Sequence, residues 1–124
     1  MATHYDRKRE ARRYGRFAEW LAAWHLRFKG YRILARGFRV AAGEIDIVAR
    51  RGRLLVFVEV KARRDLAAAA EAVGPRQAGR VARAAQAFLQ SRPGLAGLDQ
   101  RFDVVLVRPW RPPLHIADAW RPGI

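Results

Sequence analysis

The sequence contains no cysteine, few acidic residues and no long apolar run. Without cysteine the chain forms no disulfide, thiolate zinc site or thiol nucleophile. Its histidines, His4, His25 and His115, do not have the spacing of metal ligands. No apolar stretch approaches the ~20 residues that cross a bilayer, and "MATHYDRKREARRYGRF" is not followed by the apolar core of a secretory signal. We therefore expect a cytoplasmic protein without a membrane partner.

The scarcity of acidic residues leaves a large positive charge. The sequence has 25 Lys and Arg against 11 Asp and Glu, a formal net charge of +14. A high arginine content can reflect genome composition, but that does not explain the small number of carboxylates. A fold does not require such an imbalance, whereas a polyanionic partner does. We expect nucleic acid rather than an anionic membrane surface, because no long lysine-rich amphipathic helix is evident.

The order of apolar patterns predicts an α/β fold in a single domain, residues 1–124, and 51% apolar content is enough for its core. Helical spacing predicts a first helix from about Arg7 to Lys29, ended by Gly30. Strands are predicted in "YRILARGFRV", "EIDIVAR" and "LLVFVEVKAR", then a helix from about Pro75 and strands in "RFDVVLVRP" and "PLHIADAW". This order predicts a mixed central sheet flanked by helices.

Four charged residues interrupt the two apolar strands in "GEIDIVARRGRLLVFVEVK", where burying an unpaired charge is costly. Side chains alternate along a strand, so Glu44 shares a face with Asp46, and Glu59 with Lys61. A two-residue loop at Arg51-Gly52 would set Glu44 opposite Glu59, and a four-residue loop would set Asp46 opposite Glu59. Both registers gather the four charges on one face of the hairpin.

Opposed carboxylates repel each other unless a cation lies between them, and Lys61 supplies one positive charge against three negative ones. Oxygen ligands without histidine or cysteine suit Mg²⁺ or Mn²⁺, with water and substrate phosphates in the remaining positions. The same residues could instead form a solvated salt-bridge ladder, because Glu-x-Lys is a common tripeptide. We favour the metal site, since these residues lie on adjacent predicted strands of a very basic chain.

The stretches "GEIDIVA" and "VFVEVKAR" resemble the PD-(D/E)XK nuclease superfamily, and most closely its YraN-like branch, which is similar in fold to archaeal Holliday junction resolvases. The resemblance extends over nearly the whole chain. It implies a restriction-endonuclease-like core of the order α-β-β-β-α-β. It also implies that Asp46, Glu59 and Lys61 are catalytic, and that the two carboxylates and the backbone carbonyl of Val60 bind the metal.

The resemblance adds two further carboxylates and shows two departures. Glu19, in "GRFAEW", matches a first-helix glutamate that completes the catalytic and metal site, and Glu44 would be an auxiliary metal carboxylate or lie just behind the ligands. Ile45-Asp46 replaces the literal Pro-Asp, and Arg76-Gln77 stands where a lysine is expected. The implied function is a Mg²⁺- or Mn²⁺-dependent endonuclease acting on duplex or branched DNA. A homodimer is expected if it cleaves junctions.

Basic residues in both helices are candidates for nucleic-acid binding. The N-terminal cluster is the stronger candidate, because six neighbouring cations repel each other unless phosphates are near. The basic stripe of the second helix can equally be a solvated face opposite its core stripe. The candidates are Arg7, Lys8, Arg9, Arg12, Arg13 and Arg16 in the first helix, and Arg76, Gln77, Arg80 and Arg83 in the second.

Two groups of residues and the function itself have alternative interpretations. The first-helix aromatic residues could stack bases, but their helical spacing favours the core; they are Phe17, Trp20, Trp24 and Phe28. Asp103, close to Arg101, is interpreted as a structural ion-pair residue rather than a third metal ligand. The alternative function is a non-catalytic nucleic-acid-binding protein on a nuclease scaffold. The clustered carboxylates favour the nuclease, because a binding module does not need groups that repel phosphate.

Overall fold

The computed structural model describes residues 3–63 and 74–122, and of residues 4–13 only the backbone. Its elements are α1 (His4–Phe28), β1 (Arg32–Val40), β2 (Gly43–Arg51), β3 (Leu54–Ala62), α2 (Pro75–Ser91), a short 3-10 helix (Pro93–Leu95), β4 (Asp99–Val107) and β5 (Leu114–Trp120). This order confirms the predicted α-β-β-β-α-β core and the short fifth strand. No helix in these two segments is long and apolar enough to cross a membrane.

The strands form one sheet in the order β1-β2-β3-β4-β5. The chain passes from β3 to β4 through α2, and these two strands are parallel. The other three neighbouring pairs are antiparallel. A crossover returns the chain to the starting end of the sheet, which is why only β3 and β4 run parallel. The mixed sheet is as predicted, and the arrangement is consistent with a restriction-endonuclease-like core.

A helix covers each face of the sheet. α1 packs through small side chains and one leucine, which are Ala18, Ala22, Ala23 and Leu26. α2 packs on the opposite face through Val81, Ala84, Ala85 and Phe88, with Leu89 partly buried. The inner strands β2, β3 and β4 are therefore buried on both sides over much of their length, as expected for strands rich in valine, isoleucine and leucine. The predicted core stripe of α2 is confirmed.

The predicted core stripe of α1 is wrong. Phe17, Trp20, Trp24 and Phe28 are 50%, 48%, 44% and 86% exposed, and only Leu21 of the predicted set is partly buried. Alanines and aromatic residues both recur on this helix at three- and four-residue spacing, but they lie on different faces. Spacing alone therefore does not show which set packs on the sheet. The alanine face lets the helix lie close to the sheet, and bulky rings on that face would hold the two apart.

The β2–β3 hairpin turns at Gly52 and Arg53, because Arg51 pairs with Leu54. Gly52 has the predicted positive φ, 62°, which suits the first position of a two-residue hairpin turn. Continued by one pair from Ile47–Val58, the register sets Asp46 opposite Glu59. The register of the predicted four-residue loop is therefore right, but its loop length is wrong. The turn is a two-residue loop one position beyond Arg51-Gly52.

A polar cluster buried around Asp103 joins α1, β4 and β5. Asp103 is 0% exposed. Arg101 donates to both of its carboxylate oxygens, at 2.8 and 2.7 Å, and the Asp118 backbone N–H donates at 3.0 Å. His115 Nε2 lies 2.7 Å from Oδ2 of Asp103, while Nδ1 lies 2.6 Å from Lys29 Nζ. A lysine ammonium only donates, so Nδ1 accepts and Nε2 donates to Asp103. The predicted ion pair is confirmed.

Candidate active site

The end of the hairpin away from its turn brings Asp46 and Glu59 together. Both residues lie immediately beyond the paired part of the hairpin, which ends at Ile47 and Val58. Oδ2 of Asp46 accepts a hydrogen bond of 2.8 Å from the Val60 backbone N–H. The Asp46 side chain thus reaches across to β3 where the backbone ladder stops, and this contact fixes the carboxylate beside Glu59.

Glu59 is a buried carboxyl group, only 3% exposed. Its Oε2 accepts a hydrogen bond of 2.7 Å from Gln77 Nε2, and the Asp46 carboxyl group lies near enough to influence its pKa. Burial, followed by Asp46, raises the pKa of Glu59 well above its ordinary value, and this outweighs the opposite effects of Gln77 and Lys61. The carboxyl pair is therefore a place where an added positive charge is favourable.

Lys61 and Glu44 have different surroundings. Lys61 is half-buried two positions after Glu59, and its charge acts on that carboxyl group. Glu44 instead pairs with Arg39 Nε of β1 at 3.1 Å, with 37% of its side chain exposed. The structure therefore brings Lys61 to the carboxyl pair, while the described partner of Glu44 is an arginine on the neighbouring strand.

Glu19 of α1 lies on the same cavity as Asp46. This cavity, of about 430 Å³, is lined by Gly15, Arg16, Glu19, Arg39, Asp46 and Val60. Burial, followed by the charge of Asp46, raises the pKa of Glu19, and Arg36 opposes both. Arg36 Nε donates to Oε1 of Glu19 at 3.3 Å. The structure thus places Glu19 on one cavity with Asp46, and its role as a further metal carboxylate stays a prediction.

The chemistry of this donor set fits a hard divalent cation, although it does not enclose one. Across residues 3–63 and 74–122, no three acidic or histidine side chains form a group that could hold an ion by themselves. A Mg²⁺ site in proteins needs only one or two carboxylates when water and phosphate oxygens complete the shell. Asp46 and Glu59 offer carboxylate oxygens on adjacent strands, and the charge of Asp46 disfavours ionisation of Glu59, an effect that a cation would offset.

The predicted nucleic-acid-binding residues lie in several places. Arg16 lines the cavity. Arg76 is exposed at the start of α2, Arg80 is half-buried, and Arg83 Nε donates to the Ala42 carbonyl at 3.2 Å. Gln77 contacts Glu59, so its described interaction is with the candidate site itself. The side chains of the remaining candidates lie outside the part of the chain that is described; they are Arg7, Lys8, Arg9, Arg12 and Arg13.

Gly43, at the start of "GEID", has a packing role that the sequence alone did not reveal. A Cβ atom there would lie 1.8 Å from the backbone oxygen of Arg80. β2 therefore approaches the backbone of α2 at a point where only glycine fits. This close approach is near the α2 turn that holds Gln77 against Glu59.

Two arginines of β1 contact the site but were not predicted to do so. Arg36 binds Glu19, and Arg39 binds Glu44 and lines the cavity. The signal that could have identified them is their position on the strand just before "GEID", because antiparallel neighbours place opposite charges side by side.

A mixed five-stranded sheet between two helices, with a carboxyl pair and a lysine on one hairpin, defines a protein with a restriction-endonuclease-like core. Residues 18–107 match the uncharacterised protein family UPF0102. The chain is 56% identical over 115 residues to a UPF0102 protein of Paramagnetospirillum magneticum, covering 90% of this chain and 89% of that protein. It is 53% identical over 116 residues to one of Maricaulis maris, covering 94% and 91%.

The chain belongs to the UPF0102 family, also called YraN, which is a PD-(D/E)XK nuclease-like family. A UPF0102 protein of Parvibaculum lavamentivorans is similar to the same extent, at 58% identity over 112 residues, with 90% of this chain and 84% of that protein covered. The names of these relatives give the family and no activity. The resemblance found in the sequence is confirmed at the level of the family.

Proposed function

We propose that this protein is a metal-dependent endonuclease that hydrolyses phosphodiester bonds in DNA, including branched or repair intermediates, in the cytoplasm. The observation that supports the proposal is the placement of Asp46 beside the buried Glu59 on adjacent strands, with Lys61 two residues further along β3. Placing a half-buried carboxyl group beside a buried one costs stability, and such arrangements are concentrated at functional sites. The restriction-endonuclease-like core and membership of a nuclease-like family also support the proposal.

Each residue of the site has a role that its contacts suggest. Asp46 and Glu59, together with Glu19 and the Val60 carbonyl, would hold Mg²⁺ or Mn²⁺. When bound, such an ion polarises the phosphate and lowers the pKa of a coordinated water. Gln77 and the Val60 N–H hold the two carboxyl groups in position. The Lys61 ammonium would stabilise the negative charge that develops on the phosphate.

The reaction consumes one water molecule and breaks one phosphorus–oxygen bond, leaving a phosphate and a hydroxyl end. Arg16 and Arg39 line the cavity and would attract the phosphates on either side of that bond. The formal net charge of +14 supplies the longer-range attraction for a polyanion. Carboxylates in such a basic chain would repel a phosphate without a cation, which is the reason to expect metal dependence.

The decisive experiment is cleavage of labelled DNA by the purified full chain. The panel comprises a linear duplex, a single strand, a flap and a four-way junction, each with Mg²⁺, Mn²⁺ or EDTA. We expect metal-dependent cutting that Asp46→Asn and Lys61→Ala reduce at least about a hundredfold while DNA binding persists. Asp99→Asn is the matched control, because Asp99 is an exposed aspartate at the start of β4. Full activity of Lys61→Ala would remove that residue from the mechanism.

A second candidate function is a non-catalytic nucleic-acid-binding protein on this scaffold. The observation that favours it is that no three acidic or histidine side chains within residues 3–63 and 74–122 form an ion-binding group. Binding without cleavage of any substrate would establish this alternative. In both cases log affinity should fall by ~0.9 per phosphate contact for each log unit of salt on duplex DNA. A flat salt titration would contradict both functions.

A further inference from the structure

A second cavity lies between α1 and the turn that joins β4 to β5. It has a volume of about 610 Å³ and is lined by Tyr14, Phe17, Leu21, Val107, Arg108, Pro109, Trp110, Arg111 and Pro112. This volume is within the range of small-molecule and nucleotide sites, about 300–1,000 Å³. The cavity is formed by different residues from those around Asp46 and Glu19.

The walls of this cavity are aromatic side chains that the fold leaves exposed. Tyr14 is 40% and Phe17 50% exposed, and Trp110 is 102% exposed. Trp110 also has a backbone φ of 61°, in the left-handed region that bulky residues rarely occupy. An exposed tryptophan held in an unfavourable backbone conformation is a feature that concentrates at ligand-binding sites. The core gains nothing from these rings, because they lie outside it.

The charge of the lining selects the kind of ligand. Among the described residues that line the cavity there are two arginines, Arg108 and Arg111, and no carboxylate. Within residues 3–63 and 74–122, the buried Nε of Arg108 has no hydrogen-bond partner. A buried donor without a partner costs stability. Aromatic faces beside arginines are the combination that binds bases and phosphates of unpaired nucleic acid.

The position of the cavity relates it to the candidate active site. Tyr14 and Phe17 flank Gly15 and Arg16 in sequence, and these two residues line the cavity of Asp46. Val60 and Val107 lie near the carboxyl ends of the parallel strands β3 and β4, one at each cavity. Both cavities are therefore built from one turn of α1 and the same end of the parallel pair, where α/β folds commonly bind ligands.

We propose that this aromatic cavity binds an unpaired nucleotide of the nucleic-acid substrate. The rings of Phe17 and Trp110 stack on the base, and Arg108 and Arg111 contact the adjoining phosphates. A second copy of the chain is a poorer occupant, because each copy has a formal net charge of +14 and the copies repel each other. The inference rests on the proposed function for its nucleic-acid partner, and it specifies a substrate with an unpaired base beside the cleaved bond.

The test is binding in EDTA, so that cleavage does not enter the measurement. The probes are a fluorescein-labelled thymidine oligonucleotide and an abasic oligonucleotide of the same length and charge, followed by fluorescence anisotropy. We expect Trp110→Ala and Phe17→Ala each to weaken binding of the thymidine oligonucleotide about tenfold and to leave the abasic one nearly unchanged. Trp110→Phe keeps a stacking ring and should retain most of the affinity. Trp24→Ala, an exposed ring of α1 outside the cavity, is the matched control.

Three outcomes would overturn the inference. They are no binding of the thymidine oligonucleotide by wild type, equal losses on both oligonucleotides, and an equal loss in Trp24→Ala. Concentration-dependent association in sedimentation that Trp110→Ala abolishes would assign the surface to a second copy instead. The proposed function fails separately, through the cleavage panel: cutting by wild type with no stacking effect rejects only the aromatic cavity, and stacking without cutting rejects only the nuclease.

Discussion

Asp103 and Glu59 are buried carboxyl groups on neighbouring parallel strands, and their surroundings shift their pKa values in opposite directions. Burial by itself raises the pKa of Asp103, but hydrogen bonds from Arg101 and His115 outweigh it and hold the pKa at about 2. At Glu59, burial and the Asp46 carboxyl group act together and raise the pKa. The negative charge of a buried carboxyl group is thus balanced by positive and hydrogen-bonding partners at Asp103. At Glu59 the neighbouring positive charge is too small to balance it.

The difference separates a polar cluster that the described residues complete from one in which a carboxyl group stands beside another. The Asp103 cluster is complete within the chain, since arginine, histidine and a backbone N–H satisfy the carboxylate. Glu59 accepts one hydrogen bond from Gln77, but its described neighbours include a second carboxyl group. A buried carboxyl group whose pKa stays raised despite a nearby lysine gains most from a ligand that brings further positive charge.

The largest expected effect is on the complete cluster. Asp103→Ala leaves Arg101 and the nearly buried His115 without their carboxylate, so we expect a loss of about 3–5 kcal/mol in the free energy of unfolding. Urea denaturation followed by circular dichroism measures it. Asp99→Ala removes an exposed carboxylate from the same strand and should change stability by less than about 0.5 kcal/mol. A comparably small loss for Asp103→Ala would contradict a structural role.

Acid should remove part of the same stabilisation. The pKa of Asp103 is about 2 in the folded chain, below its ordinary value of 3.8, so its contribution is present above pH ~4 and is lost as the pH falls towards 2. The contribution corresponds to about 2 kcal/mol. We expect the stability difference between wild type and Asp103→Asn to shrink between pH 5 and pH 3. A constant difference across that range would show that the charge of Asp103 does not stabilise the fold.

The incomplete cluster should respond to a cation. If Asp46 and Glu59 bind Mg²⁺, an ion concentration ten times the Kd should raise the free energy of unfolding by about 1.4 kcal/mol. Thermal unfolding with MgCl₂ and with NaCl at the same ionic strength measures the effect. Asp46→Asn should abolish the difference between the two salts, while Asp99→Asn should preserve it. An equal response of wild type and Asp46→Asn would exclude these carboxylates as the binding site.

The smallest expected effect is a gain in stability. Glu59→Gln removes the repulsion from Asp46, while the new amide oxygen can still accept from Gln77 and the new amide nitrogen can donate to Asp46. We therefore expect this variant to be more stable than wild type by about 1 kcal/mol in EDTA, and inactive in cleavage. Matched urea titrations measure the gain. A loss of stability would show that the carboxyl pair is a structural element of the fold.

Much of the site could be predicted from local sequence. Alternation along "GEIDIVARR" and "LLVFVEVKA" fixed which residues share a face, and Gly52 marked the turn. The choice between two registers was not resolved locally, because a one-position shift of the turn changes which residue stands opposite Glu59. Neither predicted combination of loop length and loop position was right for this reason, although the register of the four-residue alternative matched the observed pairing.

The face of α1 that packs on the sheet could not be predicted in the same way. Helical spacing identified a stripe of large apolar residues, but Ala18 and Ala22 pack on the sheet and Trp20 and Trp24 face outwards. Alanine gives a weak hydrophobic signal, and its value here is its small size. The small side chain matters only because the sheet lies close to this face of α1, and that distance is set by the tertiary structure.

The sequence by itself determined the order of elements, the position of the hairpin and the grouping of Asp46, Glu59 and Lys61, because these follow from strand periodicity and turn chemistry over short stretches of chain. The tertiary structure decided the contacts between distant residues. Hydrogen bonds join Glu19 to Arg36, Glu59 to Gln77, and Lys29 to His115. The last two residues are 86 positions apart in the sequence. Such pairs depend on how α1 and α2 dock on the two faces of the sheet, and no local pattern specifies that docking.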